Sequence, residues 1–81
     1  MMKDKEALAV LVGEAWAQRM LDKLSERPTV GGEWPGRPED VAILAEPLSD
    51  DAGELQVLGQ VILTNAQRAW QELTQQLATD D

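Results

Sequence analysis

The sequence predicts an all-α fold: two long antiparallel helices with a short third helix in their connection. Three observations carry this. Apolar residues recur with a helical period over residues 4–26 and again over 50–78. Between them lies a Pro- and Gly-rich stretch too long for a simple loop. No second β-like run exists with which a strand could pair.

The first helix is expected over about residues 4–26, with Asp4 as its N-cap and Pro28 preventing much continuation. At 100° per residue, Ala9, Val10, Val12, Gly13, Trp16, Ala17, Met20, Leu21 and Leu24 share an arc about 180° wide. Glu14, Gln18, Arg19 and Asp22 occupy the other side. An arc that broad exceeds what one neighbour covers, so this helix should touch two packing partners.

The second long helix is expected over about residues 50–78. Asp51-Ala-Gly-Glu54 has the spacing of a capping box. Leu55, Leu58, Ile62, Ala66, Ala69, Trp70, Leu73 and Leu77 form its apolar stripe. Asn65 and Glu72 fall where a strict heptad continues, which argues against an extended coiled coil. Gly13 and Gly59 lie inside the two long helices, where glycine costs about 1 kcal/mol relative to alanine. Close approach of the helix axes would justify that cost.

Connections between bundled helices usually span about 2–8 residues, and residues 27–49 exceed this. A third helix over about 38–46 suits the segment, with Pro38 at its first position, Glu39 and Asp40 in its first turn, and Pro47 setting its end. Val41, Ile43, Leu44 and Leu48 would dock it on the long pair; a strand at 41–45 is the rival reading. Residues 27–37 form an irregular corner, in which Pro35-Gly36 favours a type II turn and Trp34 anchors one end of the helix pair. The whole chain, 1–81, is one helical domain. Two copies of such a hairpin would make a four-helix bundle as a homodimer.

Composition narrows the functions. The chain has no Cys and no His, which removes thiolate and imidazole chemistry. The net charge is −8. Residues 1–37 carry six bases and six acids, whereas residues 38–81 carry Arg68 against nine acids. No basic stripe exists for phosphates, so direct nucleic-acid binding is not expected. Asp50-Asp51 and Asp80-Asp81 lack the alternating, glycine-bearing pattern of a calcium loop. The expectation is a non-enzymatic module with no catalytic residue, cofactor, metal or small-molecule substrate.

Residues 7–17 faintly imitate a signal peptide, but the preceding Lys-Asp-Lys-Glu has no net charge and Glu14 interrupts the apolar run. No run approaches the ~18–20 apolar residues of a membrane span. A cytoplasmic protein is expected.

The leading functional expectation is a small acidic protein–protein interaction module, an adaptor, chaperone-like factor or regulator of bacterial or phage type, binding another protein or itself. The alternative is a nucleic-acid mimic that inhibits a basic cleft through Glu39, Asp40, Glu46, Asp50, Asp51 and Glu54. Candidate partner-binding residues are Trp34 and Arg37 in the corner, Glu39 and Asp40 after it, and Val57 and Val61 on an amide-rich face of the second long helix. Pro35-Gly-Arg-Pro38 also matches the P-x-x-P spacing bound by proline-recognition domains, although a turn explains it as well.

Overall fold

The computed structural model describes residues 2–24 and 32–79. Helix α1 spans Met2–Lys23, α2 spans Pro38–Ala45 and continues as a 3-10 turn over Glu46–Leu48, and α3 spans Ala52–Thr79. There is no strand among the described residues, and Val41–Ala45 is helical. The molecule is rod-like, 44 × 22 × 16 Å. Its length matches the 28 residues of α3 at ~1.5 Å each.

The two long helices pack on each other as expected, but in the opposite sense. Lys5 reaches Glu54, Gly13 meets Ile62 and Ala66, and Glu14 pairs with Arg68. Sequence numbers rise together along both helices, so α1 and α3 are parallel, and the expected antiparallel arrangement is corrected. The chain returns to the start of α3 through residues 24–51. The 22 residues of α1 cover about 33 Å. The described part of that return is the non-helical stretch 32–37 and the eleven helical residues of α2 and its 3-10 turn. The result is an up–down–up arrangement whose middle limb is short.

Parallel long helices put both positive dipole ends at one pole, which carboxylates offset. Asp4 and Glu54 lie in the first turns, and Asp51 caps α3. Asp4 itself is not the cap of α1, because the helix begins at Met2. The Glu54 amide donates to Asp51 Oδ1 at 3.0 Å. The reciprocal half of the capping box runs through a relay. The Asp51 amide donates to Ser49 Oγ (3.1 Å), and Ser49 Oγ donates to Glu54 Oε1 (2.6 Å). Lys5 Nζ donates to the same oxygen at 2.9 Å and ties the two helix starts together. These bonds, the serine first and the lysine next, hold the Glu54 carboxyl below its ordinary value of 4.5.

The core follows the expected stripes. Ala9, Trp16, Ala45, Leu58, Ile62 and Ala66 form one buried cluster; Ala17, Ala69 and Trp70 form another. Gly13 is the point of closest approach, where an added β-carbon would lie 2.5 Å from the Ile62 carbonyl oxygen. Three expectations fail at the edges. Leu24 lies just past the end of α1 and is exposed. Ile43 is two-thirds exposed at the edge of a recess beside α1 instead of being buried against the long pair. Thr74, outside the expected apolar stripe of the second long helix, is fully buried, because it follows Ala66 and Trp70 at four-residue steps; its hydroxyl donates to the Gln71 carbonyl.

Candidate functional site

The corner is built around Trp34. Pro35 keeps Trp34 out of the helical region and Pro38 starts α2, so residues 32–37 run without helix. That path lays the Trp34 indole between Trp16 and Trp70, with ring centroids 4.9 and 5.6 Å away and edge-to-face angles of 90° and 70°. Trp34 therefore packs partly buried over the end of the helix pair, as the corner-anchor expectation requires. The indole nitrogens of Trp34 and Trp70 are buried without an acceptor among the described residues.

Gly36 does not adopt the positive φ of a type II turn, which corrects that expectation. It is needed for space. A β-carbon there would overlap Cζ2, Cε2 and Nε1 of Trp34. Gly31 and the rest of 25–31 lie outside the described residues, as do the final residues of the expected first helix and Asp80-Asp81.

The other candidates fall in different places. Arg37 is the exposed, extended N-cap of α2, and its carbonyl accepts from the Asp40 amide at 3.1 Å. Glu39 and Asp40 occupy the first turn of α2, beside its positive dipole end. On α3, Val61 and Leu63 pack against the core cluster. Val57 is 47% exposed, so the structure does not bring it together with Trp34. Asn65, below them, donates to the Val61 carbonyl and accepts from Arg68, which also bridges to Glu14 and Glu72.

A second apolar surface, absent from the residue set proposed above, lies along α1. Leu8 is 50% and Leu11 61% exposed, and Ala15 follows them at helical spacing on the same side. Ile43 on α2, 66% exposed, lines a recess together with Ala15. This recess, of about 260 Å³, lies between the two helices. Val12, Trp16 and Leu44 form its less exposed lining, with Ala15, Ile43, Pro47 and Arg19 around them. It exists because α2 packs chiefly on α3 and only lightly on α1, leaving that seam of the bundle open. The row Leu8, Leu11, Ala15 is visible in the sequence at spacings of three and four. It falls outside the apolar arc that packs on the neighbouring helices.

A second recess, about 240 Å³, lies between α2 and α3 over Gly59, bordered by Val41, Leu55 and Leu63 and edged by Gln56 and Gln60. No group of three or more carboxylates converges in a metal-binding arrangement among the described residues. No described helix is long and apolar enough to cross a membrane. Searches against family models, curated proteins and solved structures gave no match to this chain, so its functional reading rests on its own geometry.

Proposed function

We propose that this chain is a small acidic, non-enzymatic protein–protein interaction module, an adaptor, chaperone-like factor or regulator, and that it docks its partner on the open seam between α1 and α2. The observation that carries this is the apolar recess that Val12, Ala15, Trp16 and Leu44 share with the two-thirds-exposed Ile43, with Leu8 and Leu11, both at least half exposed, on the Ala15 side of α1. Single exposed aliphatics are ordinary on a soluble protein; a continuous group beside a recess is characteristic of an interaction surface. A cytoplasmic setting suits a cysteine-free domain whose stability owes nothing to disulfides.

The test is affinity capture with the wild-type chain and with Leu11→Asp and Ile43→Asp as baits. Both side chains are exposed, so both variants keep the fold by circular dichroism. A partner retained by wild type and lost by both supports the reading. A partner retained equally by all three would contradict it.

The nucleic-acid-mimic alternative draws less support. Of its six acids, Asp51 and Glu54 are engaged in capping α3, and Glu39 and Asp40 occupy the first turn of α2. Binding through mimicry would collapse with rising salt and would not respond to Ile43→Asp.

A further inference from the structure

Resting on the interaction-module reading, we infer that the occupant of the α1–α2 seam is a basic amphipathic helix of another protein, laid along the seam as a fourth helix. The shape comes first. The open seam lies between α1 and α2; Ala15 lines it, and Leu8 and Leu11 precede Ala15 at helical spacing on that side of α1. A helix presenting aliphatics every third or fourth residue would extend that contact and send a side chain into the recess beside Trp16.

Charge then selects the kind of helix. Ile43 has Glu39 four residues before it, Asp40 three before it and Glu46 three after it, the neighbouring positions on α2. Residues 37–51 hold Arg37 against Glu39, Asp40, Glu46, Asp50 and Asp51. On the α1 side Arg19 is the base at the recess, and α1 as a whole is balanced: Lys3, Lys5, Arg19 and Lys23 against Asp4, Glu6, Glu14 and Asp22. The surface around the apolar ridge is therefore acidic on one bank and neutral on the other. A second copy would bring the same acidic bank and another −8 of net charge. Lysines or arginines flanking an apolar stripe would meet attraction along the α2 bank.

The experiment is a fluorescence-anisotropy titration of two labelled peptides of about 18 residues against the wild-type chain. Both carry leucines at helical spacing; one has lysine and the other glutamate at every remaining position. The lysine peptide should bind at least about tenfold more tightly, and its affinity should fall as salt rises. Ile43→Asp and Leu11→Asp should each weaken it at least about tenfold, although each adds a negative charge. That sign separates docking on the seam from bulk attraction, which the added carboxylate would strengthen.

Equal binding of both peptides would overturn the basic partner and leave the docking face standing. Tighter lysine-peptide binding by the Asp variants would overturn the seam as its site. A wild-type dimer by light scattering that Leu11→Asp dissolves would make a second copy the occupant and refute the inference. No peptide binding together with a monomeric mass would remove both this inference and the interaction-module reading.

Discussion

Replacing Gly13 by alanine should destabilise the domain, against the usual preference for alanine in helices. In an isolated helix the change would stabilise by about 1 kcal/mol. Here the new methyl carbon would lie 2.5 Å from the Ile62 carbonyl oxygen, 3.1 Å from the Ala66 nitrogen and 3.2 Å from the Asn65 β-carbon. Two of these obstacles are backbone of α3, so no rotamer change relieves them. The helices must separate, which also loosens Ala9, Trp16, Leu58 and Ile62. Overpacking of this kind costs about 1–3 kcal/mol, and with the backbone in the way the upper end applies. Subtracting the propensity gain leaves a net loss of about 1–2 kcal/mol. For a domain of this size that lowers Tm by roughly 5–15 °C. Thermal unfolding followed by circular dichroism at 222 nm measures it. A raised Tm would refute the parallel close packing of α1 on α3.

Three further outcomes follow from the same geometry. Trp34→Ala removes the ring between Trp16 and Trp70 and should cost about 3 kcal/mol by urea denaturation; a loss under about 1 kcal/mol would show the corner to be dispensable. Asp51→Ala removes the acceptor for the Glu54 amide and should cost about 0.5–2 kcal/mol, measured the same way, with Asp51→Asn retaining most of it. Glu54 has a folded-state carboxyl held low by Ser49 and Lys5, so its contribution is complete above the unfolded value near 4.5 and is lost as pH falls through the lower folded value. The Tm difference between wild type and Glu54→Gln should therefore shrink on going from neutral pH to about pH 3, and a constant difference would show that the Ser49–Glu54–Lys5 cluster does not depend on ionisation.

Helix identity and the main stripes were legible in the sequence because period and caps are local signals. Leu58, Ile62 and Trp70 were assigned to the core by spacing alone, and Pro38 fixed the start of α2. Direction was not legible that way. An apolar stripe has no arrow, so parallel and antiparallel pairing of α1 and α3 bury the same residues. The arrow lay in the connection: 28 residues, from 24 to 51, holding a helix of their own, are a return limb and not a turn. Charge spacing pointed the same way, since Lys5 with Glu54 and Glu14 with Arg68 are 49 and 54 residues apart. Antiparallel pairing would have made the second separation much smaller than the first.

The candidate site was less legible. Trp34 has no periodicity to account for it and stands in the sequence both as a corner anchor and as a partner-binding candidate; its packing depends on Trp16 and Trp70 being brought to one level, a tertiary fact. Ile43 looked buried because α2 is short and apolar. Once Ala45, Val41 and Leu44 face inward, however, the helical repeat turns Ile43 outward. Leu8 and Leu11 became informative only when α2 was seen to sit mainly on α3, leaving their flank of α1 uncovered.

The central claim is that the α1–α2 seam is where a partner lies. Amide chemical-shift mapping of the labelled chain during titration with the lysine-flanked peptide tests it most directly. The account predicts the largest shifts at Leu8, Leu11, Ala15, Ile43 and Leu44, with Val57 and Gln60 on α3 unmoved. Shifts centred on Gln56, Gln60 and Leu63 would move the docking site to the α2–α3 recess and contradict it.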